Sequence, residues 1–277
     1  MDKNLLKGGM DYAEAKLPIG VFDSGVGGLT VVNNISRVLP EENIIYFADT
    51  KHFPYGIKTE GEVKSYAKKI VSFLLSKKIK AVIIACNTVS SIALPELVEI
   101  ARPIPIFGMI QAGAHYAIKT TKNKRIGIIS TPLTARKQAY KKEILALDPD
   151  AVVFEVGSQE LVNLVEDGNV ENKSAYVLAK EKLNCPLNEN IDTLVLGCTH
   201  FPFLYTVVKS VAGVSVNVID PSDYLVLQVK NYLAERNLFN KIGGESLYFT
   251  SGNKSDFLNK THVFLDNPPR KVESVDL

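Results

Sequence analysis

Two stretches of the chain place a thiol beside other polar groups just where an apolar run stops. "AVIIACNTVSS" delivers Cys86, Asn87 and Thr88, and "TLVLGCTHFPF" delivers Cys198, Thr199 and His200. An ionised thiol is a base or a nucleophile, and free cysteine titrates near ~8.5, so a modest depression yields thiolate at neutral pH. A strand end that leads into a helix supplies such a depression, because its free N–H groups and positive dipole end favour anions. Pro202 suits the first turn of a helix after Cys198, having no N–H to orphan there. A lone cysteine after an apolar strand more often packs as a small hydrophobe. Polar neighbours beside both thiols weaken that reading, since a dry core penalises them. Cys185, in the loop-like "NCPLNEN", has no such company and reads as a packing residue.

Asp23 and Ser24 sit where another apolar run, "PIGVFDSG", should end, and Asp23 there is placed to hold a proton for a thiol or to bind a substrate ammonium. The following glycines, Gly25, Gly27 and Gly28, fit neither G-x-G-x-x-G nor a lysine-bearing phosphate loop, and a tight strand-to-helix turn accounts for them equally well. "YFADTKHFPYG" offers Asp49, His52, Tyr55 and Gly56 in a loop, where aromatics serve binding and packing alike. His52, His115 and His262 lack a matched constellation and read as structural or exposed. The three cysteines are widely separated and no C-x-x-C or H-E-x-x-H spacing occurs, so no metal site is expected.

The elements that must position these groups are short β-branched runs alternating with longer amphipathic stretches, the pattern of α/β units with mainly parallel strands joined by helical crossovers. A faint repeat adds to this. "PIGVFDSG" is echoed by "RIGIISTP"; Cys86 follows Ile19 by 67 residues and Cys198 follows Ile126 by 72. The expected architecture is two pseudo-symmetric α/β domains: residues 18–110 with 220–277 as a discontinuous first domain, 111–219 as the second, and 1–17 as an N-terminal extension. Ligands of open α/β sheets lie beyond the carboxyl ends of the strands, so both thiols are expected to face one interdomain cleft.

Composition narrows the partners. The 277 residues carry 32 basic and 30 acidic groups, a net charge of +2 with no polyelectrolyte run, which argues against nucleic acid as a partner. The lysines of "KKIVSFLLSKKIK" read as the solvated face of a helix whose Ile70, Phe73 and Leu74 point inward. No apolar run approaches the ~18 residues of a membrane span and the opening lacks a signal-peptide core, so no membrane association and a cytoplasmic location are expected.

Taken in order, "IGVFDSGVGGLTV", "YFADTKHFPYG", "ACNTVSS" and "LGCTHFPFL" closely resemble the glutamate racemases of the aspartate/glutamate racemase superfamily, over about Pro18 to Asp220. The resemblance implies cofactor-independent interconversion of L- and D-glutamate, without pyridoxal phosphate or metal, supplying D-glutamate for peptidoglycan. It implies Cys86 as the base for the D-enantiomer and Cys198 as the base for the L-enantiomer. Asp23, Ser24, Tyr55, Gly56, Asn87, Thr88, Thr199 and His200 match substrate-contacting positions, and Asp23, Asp49, Glu166 (in "LVEDGN") and His200 match auxiliary acid–base groups. A homodimer, and a cell-wall-precursor activator acting through an N-terminal arm, are further expectations from the same source. Three rivals stand beside it: an aspartate or broad-specificity racemase, a non-catalytic acidic amino-acid binding module, and a thiol hydrolase that would leave Cys86 idle. The tail from about Leu247 matches no motif.

Overall fold

The computed structural model describes residues 13–170 and 172–277. Most of the expected N-terminal extension, residues 1–12, lies outside the described residues. The fold is α/β, with two sheets whose strands are all parallel. Among the described residues ten strands build them: β1 (Ile19–Asp23), β2 (Ile44–Ala48), β3 (Ala81–Ile84), β4 (Ile106–Gly108), β5 (Arg125–Ser130), β6 (Val152–Gly157), β7 (Thr193–Gly197), β8 (Asn217–Ile219), β9 (Leu247–Thr250) and β10 (Glu273–Ser274).

The first sheet has the order β10-β9-β2-β1-β3-β4 and the second β6-β5-β7-β8. Without the two tail strands, both wind as second, first, third, fourth. The echoed openings noted above are β1 and β5, the central strands of the two sheets. Each sheet is covered on both faces, which is why its inner strands read as unbroken apolar runs. Along β1 and β3, Ile19, Val21, Ala81 and Ile83 enter one core while Phe22, Val82 and Ile84 enter the other. In the second sheet Ile126, Ile128 and Val195 face one core and Ile129, Leu194 and Leu196 the opposite one.

Crossover helices follow their sequence signals. The helix Glu60–Ser76 starts at a capping box in which Thr59 accepts from Glu62 N and Glu62 reaches back to Thr59 N, a cap that stabilises by about 1 kcal/mol. Ile70 and Leu74 are buried on it as expected, and Phe73 is half-buried.

Two local expectations are corrected. Cys185 is not in a loop; it lies exposed in the helix Lys173–Asn188, which also contains Pro186. The buried series Ala175, Ala179, Leu183 and Pro186 keeps helical spacing, and that packing outweighs the one hydrogen bond a proline forfeits. After Cys198 the chain forms a 3₁₀ turn, Phe201–Leu204, with Pro202 in its first positions, and the α-helix starts only at Tyr205. The unassigned tail forms β9, the helix Lys254–Phe264 and β10; β9 pairs alongside β2 and β10 extends the edge.

Candidate active site

In a sheet wound second-first-third-fourth, the crevice opens beyond the carboxyl ends of the first and third strands, where the winding changes direction. Asp23 ends β1 and Cys86 follows β3 by two residues; Ser130 ends β5 and Cys198 directly follows β7. The two crevices face each other. Cys86 and Cys198, both buried, line one small cavity together with Ser24, Tyr55, Asn87, Thr88, Thr199 and His200. A larger groove near Ser36, Tyr248, Pro268 and Arg270 contains no thiol or imidazole and lies elsewhere, so chemistry and not size selects the smaller cavity.

Around Cys198 the groups form a chain. The sulfur is 3.7 Å from His200 Nδ1, and His200 Nε2 is 2.8 Å from Glu166 Oε1. The other oxygen of Glu166 accepts from Lys260 Nζ. Burial pulls the proton affinity of His200 down, but the Cys198 sulfur and the Glu166 carboxylate outweigh it and raise the imidazole to about 10. Burial works against the Glu166 carboxylate too, yet His200 and then Lys260 hold it below its ordinary range. Next to Cys198, therefore, stands an imidazolium that can hold or release a proton at the sulfur.

Cys86 has a different environment. Burial, and then the charge of Asp23, push its thiol well up, against the opposing N–H groups of Val89 and Thr88. Asp23 is itself raised by burial, although His200 and hydrogen bonds from Gly25 N (3.0 Å), Thr199 Oγ1 (3.0 Å) and Ser24 Oγ (3.2 Å) oppose the shift. Cys86 is thus a neutral thiol at pH 7, with a buried carboxyl group beside it.

The raised imidazole has a thermodynamic consequence. Its value in the folded protein exceeds the ~6.5 of an unfolded histidine, so its stabilisation is complete below pH ~6.5 and is lost as pH rises through about 10. Urea unfolding should accordingly show a fall in stability across that window that is shallower in His200→Gln. Identical slopes for the two proteins would contradict the charged-pair assignment.

Asp49 anchors a second network. It accepts from the Tyr55 hydroxyl and from Ser251 Oγ at 2.5 Å, and lies 2.9 Å from His52 Nδ1. Burial and then Asp49 raise the Tyr55 phenol, so Tyr55 presents a neutral hydroxyl group. His52, read from sequence as structural or exposed, is half-buried in this network and stacks on Tyr66 at 4.0 Å between ring centroids. His115 stacks on Tyr224, and His262 sits near the end of its helix, neither of them at the cavity.

Several groups at or beside the cavity escaped the sequence reading. Thr131 and Thr134 join Thr88 in a hydroxyl cluster, with Thr88 and Thr131 2.9 Å apart and Thr131 and Thr134 3.0 Å apart. Tyr140 donates to Asn87 Oδ1 at 2.5 Å, which fixes the amide; the buried Asn87 Nδ2 has no protein partner and is a donor available to a ligand. Gln159 Oε1, also buried and unpartnered, is an available acceptor on the same wall. The repeat held the signal for Thr131: it follows β5 as Ser24 follows β1.

The glycines of "DSGVGGLT" are explained by close approach. A Cβ on Gly27 would lie 2.6 Å from His200 Nδ1 and one on Gly28 2.6 Å from the Asp23 Cβ, far inside van der Waals contact. Among the described residues no cluster of three or more His, Cys, Asp or Glu is arranged to hold a metal, and no helix is long and apolar enough to cross a membrane.

Comparison with known proteins places this geometry in context. The model of the Asp/Glu/hydantoin racemase family matches residues 19–229. The chain is 40% identical to glutamate racemase of Thermoanaerobacter pseudethanolicus over 261 residues, covering 94% of this chain and 97% of that one. It superposes on a Francisella tularensis glutamate racemase solved with D-glutamate at a TM-score of 0.88 and 34% identity, covering 95% and 98% of the two chains. An Escherichia coli glutamate racemase solved with L-glutamate and the activator UDP-MurNAc-Ala is similar at a TM-score of 0.77 and 25% identity, over 94% and 98%.

Proposed function

We infer the reaction from the premise that this chain belongs to the Asp/Glu/hydantoin racemase family: it is an isomerase that interconverts L- and D-glutamate and supplies the D-enantiomer for peptidoglycan. The observation that carries the reading is the pair of thiols, each following the third strand of its repeat and both lining one cavity. A racemase must run equally well in both directions, because enantiomers have equal free energy. One base on each face of a planar carbanion meets that requirement.

In the L-to-D direction Cys198 takes the α-proton: the Cα–H bond breaks, its electrons remain on the substrate, and the proton passes to sulfur. The neutral Cys86 thiol then gives its proton to the opposite face, forming the new Cα–H bond. The reverse reaction exchanges these roles. His200, held by Glu166, manages the proton at Cys198, and Asp23 serves Cys86. The carbanion develops as an enediolate on the α-carboxylate, and the unpartnered Asn87 Nδ2 with the Thr88 hydroxyl are the donors that stabilise it, the preorganised electrostatic contribution that is usually the largest in such steps. Tyr55, kept neutral and oriented by Asp49, and Gly56 complete the substrate wall; a Cβ at Gly56 would lie 2.7 Å from Thr131 Cβ.

Homodimerisation, location in the cytoplasm and activation by a UDP-linked cell-wall precursor remain proposals. The E. coli relative solved with such an activator supports the last of them.

The direct test is incubation of the purified protein with L-glutamate in deuterium oxide without added cofactor. The expected result is loss of the α-proton signal together with appearance of D-glutamate. If neither occurs, and the precursor does not elicit it, the reaction assignment is wrong.

A further inference from the structure

The Lys254–Phe264 helix belongs to the tail, which matches no motif, yet it touches both halves of the molecule. Phe257 is buried in a core of the first sheet, and Asn33 Nδ2 donates to Phe264 O at 2.9 Å. Phe264 also packs on Phe203 of the second half, with ring centroids 4.5 Å apart. Between these contacts Lys260 reaches Glu166, whose other oxygen holds His200 beside Cys198.

We propose that Lys260 is a positioning residue for one of the two proton transfers: it fixes the Glu166 carboxylate so that His200 stays aligned on Cys198, and it acts on that thiol alone. This rests on the two-thiol reading above. The geometry favours it for three reasons. Glu166 is near the C-terminal end of the helix Gln159–Glu166, where the dipole disfavours a carboxylate, so an external cation is needed to balance it. The carboxylate is shared between two cations, one oxygen for each, which fixes its rotation as a single partner would not. And the Lys260 side chain is two-fifths exposed while Glu166 is largely buried, so the lysine can make this contact without being buried itself. The titratable groups around Glu166 are His200 from the loop after β7, Lys260 from the tail helix and, within reach of its charge, Tyr46 on β2, with Cys198 behind the imidazole. Cys86 hydrogen-bonds to none of these.

The test compares wild type, Lys260→Met and Lys260→Arg in both directions and across pH. Lys260→Met is expected to lower kcat for L-glutamate about ten-fold, the scale of a small misplacement at a reacting group. The acid limb of its pH profile should move to higher pH, because Glu166 loses a cation that keeps it ionised. Lys260→Arg should restore both. Placed in a Cys86→Ala background, Lys260→Met should slow solvent exchange of the L-glutamate α-proton; in a Cys198→Ala background it should leave exchange of the D-enantiomer unchanged. An unmoved pH profile, or equal slowing of exchange on both sides, overturns the proposal. Absence of glutamate turnover by the wild type would instead remove the reaction assignment on which it rests, so the two failures are distinct.

Discussion

Cys86→Ala and Cys198→Ala are each expected to reduce racemisation by at least ~10³-fold in kcat while the protein remains folded, since a positioned acid–base group contributes roughly 10²- to 10⁴-fold. Each substitution removes one sulfur at a cavity wall, a small loss beside the 2–5 kcal/mol of a large core truncation. Initial rates alone do not say which thiol serves which enantiomer. With an equilibrium constant of unity, kcat/KM is equal in the two directions for any variant. Half-reactions do separate them. Cys86→Ala retains Cys198 and should exchange the α-proton of L-glutamate with solvent deuterium without producing D-glutamate. Cys198→Ala should do the same for the D-enantiomer only. Near wild-type racemisation by either variant, or exchange of both enantiomers by one of them, would sink the two-base mechanism.

Gly27→Ala should be nearly as damaging, although Gly27 offers no side chain to the chemistry. Its added Cβ would lie 2.6 Å from His200 Nδ1 and nearer still to Thr199 Oγ1. Neither neighbour can yield freely: Thr199 is bonded to Asp23, and His200 is held between Cys198 and Glu166. Displacing both should cost ~10²-fold in kcat/KM, with an overpacking penalty of about 1–3 kcal/mol in stability. Gly61→Ala is the matched control, because a Cβ there meets nothing within 4 Å and the site is on an exposed helical turn. It should be fully active and slightly more stable. Equal activity for the two variants, measured at matched pH, would show that Gly27 does not set the position of Thr199 and His200.

The sequence exposed the parts of this molecule that depend on local order. Parallel strands covered on both faces are continuous apolar runs, and each thiol comes at the end of one, so the fold class and the Cys86 and Cys198 stretches could be read directly. What stayed hidden depends on contacts between distant segments. Lys260 and Glu166 are 94 residues apart and Ser251 and Asp49 are 202 apart. Thr131 and Gln159 are residue types found on any surface, and only facing the cavity gives them a role. The pairing of β9 with β2 depends on a four-residue strand whose place at the edge is fixed by tertiary packing. Cys185 falls on the same divide: proline and asparagine suggest a loop locally, while a buried stripe at three- and four-residue spacing holds the helix.

The shared winding order of the two sheets bears on how a chiral chain can treat mirror-image substrates alike. No rotation turns one enantiomer into the other, so a single site cannot be congruent with both. A trigonal carbon, however, has two faces that a half-turn about an axis in its plane does exchange. A fold that repeats its strand order delivers the same cradle, with its thiol after the third strand, to each of those faces. A repeated winding order therefore offers handedness-neutral geometry from a single-handed polymer, while the different neighbours of the two thiols, Asp23 near Cys86 and His200 beside Cys198, leave the local surroundings of each face free to differ.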